Sequence, residues 1–533
     1  MKNNNKTFVL GLDGATWDLL NPLMDKGLMP NLKKIIKKGA SSVLQSTIPP
    51  YTAPAWVSCF TGVNPGKHGI FGFTIKKNGV PGKQFVGSNY VRVPKLWHYI
   101  NSADKTVGLI NIPITYPAEP VNGFVVPCFL TPLGKKDYTY PKSIYKDYLL
   151  PIDYVINVRI AEKQDFSEKI FLKIINDIKH STQKRYEAMD ALRNAYNPDF
   201  FMIVFTCMDK IQHKFWKFLD PRNPIYSTSI ASQARPFIIS LYEQMDEIIG
   251  KILMSLDDNT TLYIVSDHGF GPKKKMFLIN KWLEKNGLLK INKLKLIKHR
   301  FLSNHMIKHD FSNRNIDILN HPIYNFIDFN KSLFLGSDPY EQGIYYIGVS
   351  NDKKYMLEIN KLKNKLKELK DPETGIRIFD EVYFRNDLYE GDYTHIAPDI
   401  ILKMKDYGYD IARTYPLRNK FLNSVNKPAG CHQPEGIFAA YGKNIIACNN
   451  FNASIIDITP TVLYHMGLPV HRNMDGRVIN EIFSTSFQKD NQVQYTDATP
   501  SYNIERDDEQ EFGYSEKEKT EIASRLKDLG YFD

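Results

Sequence analysis

The sequence predicts an α/β fold with a mostly parallel central sheet, and three observations carry that expectation. Apolar, strand-like runs at Thr7–Leu12, Phe200–Thr206 and Leu262–Ser266 each lead into acid. The acids are Asp13 before Gly14, Asp209 with His213 four residues on, and Asp267 followed by His268 and Gly269. Helix-period segments separate the runs, and strands alternating with helices form parallel sheets. In such sheets chemistry gathers outside the carboxyl ends of the strands, where the loops diverge. Three acids and two histidines delivered to one edge repel each other and resist desolvation unless cations sit among them. A metal site is the first expectation.

The elements follow in order. Residues 7–12 read as a buried strand, and 16–38 as a helical region broken near Gly27–Pro30 and ending before Gly39. Ala40–Ser46 is a second short strand. Pro49 and Pro50 then force an extended approach to Thr52, which takes the N-cap position of a helix running to Gly62, with Pro54 in its first turn. A hydroxyl there faces unpaired N–H groups and the positive end of the helix dipole, which favour an alkoxide and an incoming phosphate alike. A helix cap needs the same geometry, so Thr52 suits either role. As a nucleophile it requires a metal to ionise it.

Between 71 and 195 short strands (Val107–Ile110, Gly123–Val126) alternate with helices, including Ser167–Tyr196. A helix over 229–255 leads back to the strand before Asp267. Residues 285–395 are rich in Lys and Asn and show no catalytic constellation, and Asp399–Leu402 is expected to re-enter the sheet. Residues 485–512 read as a polar linker, and Ser515–Leu529 as a helix with a Ser515–Glu518 capping box. No internal repeat is visible.

Composition bounds the rest. The 533 residues are 43% hydrophobic and 24% charged, ordinary for a globular protein able to bury a large core. The net charge of +11 comes from scattered lysines, which reads as solvated faces with a general pull on anionic substrates, not as a nucleic-acid surface. Five cysteines without a CxxC pair fit a reducing compartment. The apolar stretch before Asp13 is too short for a signal-peptide core, and no run approaches the roughly 18 apolar residues of a spanning helix. A cytoplasmic location is therefore expected.

Several motifs, in one order, carry a resemblance. They are GLDG at 11–14, Thr52 ahead of Gly62, NPGKHGIFGF after it, SDHGFG at 266–271, GCHQPEGIFAAYG at 430–442 and DITPTVLYHMGLPVHRNMDGRVI at 457–479. Together they resemble the alkaline phosphatase superfamily, and within it the type I phosphodiesterase/nucleotide pyrophosphatase branch. That resemblance implies a three-layer sandwich around the sheet with an inserted cap region. It places the catalytic domain at 1–285 and 395–485, the cap at 286–394, and a linker and terminal helix at 486–533. It implies two divalent ions, Zn²⁺ ahead of Mn²⁺. Asp13, Thr52, Asp267 and His268 match the ligands of one ion, with Thr52 the nucleophile; Asp209, His213 and His432 match those of the other. Expected substrates are small phosphoesters, nucleotides, or glycan- or lipid-linked phosphates.

One departure stands out. Nucleotide pyrophosphatases usually follow the nucleophile with Phe-Pro-Asn-His, whose asparagine holds a phosphate oxygen; here Ala53-Pro54-Ala55-Trp56 follows. The Ala53 N–H and the Lys210 cation are the candidate replacements, and nucleotide preference is what the change puts in question. Trp56 suits packing more than stacking on a base. His68 and His465 fall outside the ligand set, and the apolar context of His465 suits a satisfied core histidine. A sulfatase needs a Cys or Ser and an arginine that this run lacks. A phosphoglycerate mutase of the cofactor-independent type normally uses serine. A degenerate binding protein is the remaining rival, against which all the ligand positions are filled.

Overall fold

The computed structural model describes residues 5–77, 80–158, 168–297, 325–349, 351–412, 420–502 and 514–528. The chain divides into two compact units. One comprises Met1–Ile70, Val86–Pro272 and Pro428–Asp508, the other Phe71–Phe85, Lys273–Lys427 and Glu509–Asp533.

The first unit is built on a nine-stranded sheet. In spatial order its strands are Cys448–Asn449, Ala40–Gln45, Glu435–Tyr441, Thr260–Val265, Lys6–Leu12, Phe200–Phe205, Val107–Ile110 and Gly123–Val126, with Ala453–Ser454 also on Ala40–Gln45. Glu435–Tyr441 runs against its two neighbours; every other pairing in this sheet is parallel. The central strands are buried along their whole length, which is why they read as unbroken apolar runs without alternation.

Side-chain parity sorts the two faces of the sheet. Phe8, Leu10, Leu12, Phe201, Ile203, Phe205, Leu262 and Ile264 join one core with helices Trp17–Asp25, Pro30–Lys38, Glu168–Tyr196, Cys207–Leu219 and Ser229–Ser255. On the opposite face Gly11 meets Trp56 of helix Thr52–Thr61, and Thr7 and Thr261 meet His465 of helix Ile458–His465. Helices on both faces of one sheet make the expected three layers.

Register decides where the chemistry sits. Leu12 pairs with Phe205 and Gly11 with Val265, so the three strands finish level. Asp13, Asp209 and Asp267 therefore emerge side by side. Ala40–Gln45 points the same way and delivers Thr52 after a short loop. The antiparallel strand Glu435–Tyr441 starts at that edge, which brings His432, just before it, to the same place.

The second unit has a four-stranded antiparallel sheet in the order Phe334–Gly336, Gly343–Tyr346, Ile400–Met404, Phe379–Phe384, and a three-stranded sheet centred on Lys275–Leu278. The expected return of Asp399–Leu402 to the central sheet is corrected here. Ile400 and Ile401 pair with Gly343 and Ile344 on one side and with Tyr383 and Phe384 on the other. An apolar run announces a strand, but its partners depend on the tertiary fold. The residues of the expected 286–394 insertion fall in this unit, which also takes in 71–85 and extends to Lys427.

Toward the C-terminus, the expected linker is partly ordered: helix Thr485–Asp490 is capped by Ser484, and Tyr495–Thr496 pairs with Val470–His471. Helix Glu516–Asp528 carries the expected capping box, with Ser515 N–H on Glu518 Oε2 at 2.7 Å and Glu518 N–H on Ser515 Oγ at 3.3 Å. Leu529 and 503–512 lie outside the described residues.

Candidate metal centre

The three acid loops are tied together by Gly14. It follows Asp13 with φ +69°, and a Cβ there would lie 3.1 Å from the Asp209 Cα, so any other residue would push these loops apart by a few tenths of an ångström. Its N–H donates to Asp267 Oδ1 at 3.2 Å, and its carbonyl accepts from Gln212 Nε2 at 2.8 Å. The Asp209 N–H donates to the Asp13 carbonyl at 3.1 Å.

Asp209 and His213 sit one turn apart on helix Cys207–Leu219 and therefore share a face. Asp209 Oδ1 lies 3.3 Å from His213 Nε2 and 3.4 Å from His432 Nε2, and the two nitrogens are 2.9 Å apart. His432 Nδ1 is 3.0 Å from the Pro50 carbonyl, and His268 Nδ1 is 3.0 Å from the Gly269 carbonyl. A carbonyl only accepts, so in both rings Nδ1 carries a proton, and Nε2 faces inward where it can offer a lone pair to an ion. This is the orientation a metal-binding imidazole takes. The His268 and His432 rings stack with centroids 3.6 Å apart.

Thr52 is buried at the start of helix Thr52–Thr61, but the N-cap is Tyr51, which corrects the sequence expectation. Tyr51 has the extended dihedrals a cap requires, and its carbonyl accepts the first helical bond, from Ala55 N–H at 3.0 Å. Thr52 Oγ lies instead 3.2 Å from His268 Nε2. That nitrogen is also 3.3 Å from Asp267 Oδ2 and 3.7 Å from Asp13 Oδ1. The structure thus brings Asp13, Thr52, Asp209, His213, Asp267, His268 and His432 into one place.

The two expected substrate contacts are placed differently from each other. Ala53 is buried in the first helical turn, among the N–H groups for which the helix itself has no acceptor. Lys210 is buried with its ammonium on Asn157 Oδ1 at 2.5 Å, turned to a group beside the acids. Burial and the Arg185 charge push it down to about 7.

One residue of the site was not assigned its role from sequence. Trp56 is fully buried, and its Nε1–H donates to Asp13 Oδ2 at 3.3 Å. A Cβ at Gly11 would lie 2.5 Å from the Trp56 ring, so Gly11 leaves room for it under the first strand. Its spacing of one helical turn from Thr52 was the available signal, since both then face the same way. Outside the site, His68 takes a proton-free Nδ1 contact from Ile70 N–H at 3.1 Å and meets Ser58 Oγ at 3.0 Å. His465 is fully buried between Thr7 and Thr261.

The electrostatics call for cations. Burial, then repulsion from Asp267 and Asp209, drives the Asp13 carboxyl well above its ordinary range; burial and Asp209 do the same to Asp267. Burial also pulls Asp209 upward, but the His213 and His432 imidazoles outweigh it and hold that carboxyl low. Asp13 Oδ1, Asp209 Oδ1 and Asp267 Oδ2 are all buried without a hydrogen-bond partner. Unpaired buried carboxylate oxygens are costly, and coordination to a cation removes the cost. Ligand atoms converge in two groups, Asp209 with His213 and His432, and Asp13 with Asp209 and His268. Asp209 belongs to both, where the sequence had placed it in one. The N/O donor set suits divalent ions.

No curated protein matches the sequence. Two crystal structures of phosphonoacetate hydrolase from Sinorhizobium meliloti 1021, with phosphonoformate and with phosphonoacetate, match at 15% identity over 87% of this chain and 96% of theirs, with TM-scores of 0.56 and 0.55. Murine ectonucleotide pyrophosphatase/phosphodiesterase 5 matches at 14% identity over 90% of this chain and 100% of its own, with a TM-score of 0.49. At such identity the hydrolase likeness establishes the fold, an alkaline phosphatase-like one. The sequence profile of type I phosphodiesterase/nucleotide pyrophosphatase matches residues 7–435, a span that begins in the first strand and ends beyond His432. With that match covering most of its length, the chain belongs to the type I phosphodiesterase/nucleotide pyrophosphatase family, metal-dependent hydrolases of phosphate esters.

Proposed function

We propose that this protein cleaves phosphodiester or phosphoanhydride bonds through a covalent phosphothreonine at Thr52, with two divalent ions. Asp13, Thr52, Asp267 and His268 would hold one ion, and Asp209, His213 and His432 the other, with the Asp209 carboxylate near both. The observation that carries this reading is the buried Thr52 hydroxyl, 3.2 Å from His268 Nε2, beside three carboxylate oxygens that lack hydrogen-bond partners. When bound, such ions supply charge neutralisation and Lewis acidity at oxygen.

The residues divide the work. Thr52 Oγ attacks phosphorus, forming the Oγ–P bond while the bond to the leaving oxygen breaks in line with it. A water oxygen then bonds to phosphorus and the Oγ–P bond breaks, so two inversions return the original configuration. The N–H groups of the first helical turn, Ala53 included, face the charge that develops on the nonbridging oxygens. Trp56 holds Asp13 in orientation, and the Pro50 and Gly269 carbonyls fix the tautomers of His432 and His268.

Zn²⁺ is the favoured ion and Mn²⁺ the alternative, because three carboxylates and three imidazoles suit both. Among the described residues the five cysteines form no disulfide, which supports a cytoplasmic location. Among the described residues no helix is long and apolar enough to cross a membrane. Substrates are phosphoesters of small molecules, nucleotides, or glycan or lipid carriers.

A hydrolysis panel tests the reading: nitrophenyl monoester, diester and sulfate, pyrophosphate and phosphonoacetate, each with Zn²⁺ or Mn²⁺. Diester or pyrophosphate cleavage is expected, lost in Thr52→Ala, with about two ions per chain by elemental analysis. Turnover confined to the sulfate ester, or a Thr52→Ala variant at the wild-type rate, rejects it.

A further inference from the structure

Beside the acids lies a pair of buried cationic side chains that, among the described residues, touch no carboxylate. Arg185, on helix Glu168–Tyr196, is 2% exposed, and Lys210, on helix Cys207–Leu219, is 3% exposed. Both reach the same short stretch of chain, since their acceptors are the adjacent residues Ile156 and Asn157. Each has only a neutral acceptor: Arg185 Nη2 donates to the Ile156 carbonyl at 3.3 Å, and Lys210 Nζ to Asn157 Oδ1 at 2.5 Å. Among the described residues neither forms an ion pair. Cys207 is nearby, but burial keeps its thiol protonated. Two further donors, Arg185 Nε and Asn157 Nδ2, are buried without an acceptor. Asn157 itself is half-buried, so the group is not sealed from solvent.

Burying two like charges with unused donors is unfavourable unless an anion completes the set. Asp209 and Asp13 act on Lys210 from a distance, yet neither reaches it. Since Lys210 follows Asp209 on one helix, its side chain leaves the axis about 100° away from the metal-facing direction. The cations therefore lie next to the acid cluster and not within it. A guanidinium with a free Nε edge, an ammonium and an amide N–H form a fork suited to a phosphate or carboxylate.

We propose that Arg185, Lys210 and Asn157 form an anion subsite that takes a second, non-reacting phosphate or carboxylate of the substrate. The subsite selects substrates with two anionic groups over simple diesters, and it rests on the phosphodiesterase reading above.

The test uses the full-length protein with its metal. Inorganic pyrophosphate and dimethyl phosphate are compared as inhibitors of bis(4-nitrophenyl) phosphate hydrolysis in wild type, Arg185→Met and Arg185→Lys. Arg185→Met is expected to weaken pyrophosphate at least tenfold more than dimethyl phosphate, and Arg185→Lys to restore most of the loss. Equal inhibition in wild type and Arg185→Met, or parallel weakening of both inhibitors, overturns the proposal. If Arg185→Met does not fold, Asn157→Leu is expected to show the same selective loss, and its absence there overturns the proposal equally. If wild type hydrolyses no diester, the catalytic reading fails. The subsite is then read from the rise in melting temperature with pyrophosphate, expected in wild type and lost in the variant; an equal rise in both rejects it.

Discussion

Replacing Gly14 with alanine separates backbone strain from the close approach that assembles the centre. At φ +69° an L-residue costs about 1–2 kcal/mol, offset by roughly 0.4–1 kcal/mol from the stiffer unfolded chain. Conformation alone therefore costs on the order of 1 kcal/mol. Gly27 is the control: its φ is +75°, and a Cβ there meets nothing within 4 Å. At Gly14 the same Cβ lies 3.1 Å from the Asp209 Cα and 3.2 Å from the Phe270 Cδ2. A backbone atom cannot swing aside as a side chain can, so the Asp13 loop or the start of the Asp209 helix must move by a few tenths of an ångström. The Gly14 N–H on Asp267 and its carbonyl on Gln212 move with it. Displacing such supports typically costs about 10–100-fold in metal affinity, or about 1.4–2.7 kcal/mol. Urea unfolding in chelator is expected to show a loss for Gly14→Ala at least as large as that for Gly27→Ala, while competition with a chromophoric chelator shows weaker metal binding in Gly14→Ala alone. A folded Gly14→Ala protein with metal affinity within twofold of wild type refutes the reasoning.

Three further outcomes are expected. His68 stays neutral in the fold down to about 3, because burial disfavours its charge and Nδ1 accepts the Ile70 N–H. The unfolded histidine gains a proton below about 6.5. Between those values the unfolded state holds the extra proton, so stability falls as pH falls, by about 1.4 kcal/mol per pH unit. From pH 6.5 to 5, urea unfolding of His68→Gln should therefore lose about 2 kcal/mol less than wild type; an equal loss rejects this. Trp56→Phe keeps an apolar ring under Gly11 but removes the donor to Asp13, and hydrogen bonds to charged groups contribute about 1.5–3 kcal/mol. A fall of about tenfold or more in kcat/KM is expected, and an unchanged value shows that the bond does not orient Asp13. His432→Ala removes one of the three side chains of the Asp209 group. Elemental analysis is expected to fall from about two ions toward one, and retention of both shows that His432 is not a ligand.

Much of the site was legible in the sequence because parallel sheets place function at strand ends, and each of the three apolar runs here leads into an acid within a few residues. Asp13, Asp209 and Asp267 needed only that rule. Asp209 and His213 also carried their shared helix face in their spacing. His432 was legible only through the resemblance, since a single histidine in a Gly-Cys-His-Gln-Pro run has no local signal. Its place depends on one strand, Glu435–Tyr441, running against all the others and so beginning where they end. Trp56 had the right spacing but no local mark of its bond to Asp13, and Arg185 lies on a separate helix from Lys210.

By itself the sequence determined the strand and helix runs, the acids that close the strands and the family, because these follow from periodicity, local geometry and motif order. Only the tertiary structure decided which side chains meet. Register levelled the three acids, Gly14 let two loops touch, Asp209 came to serve both ligand groups, and Ile400–Met404 found its partners in the second unit. Those outcomes depend on contacts between residues far apart in the chain, and such contacts leave no periodic trace in the residues that make them.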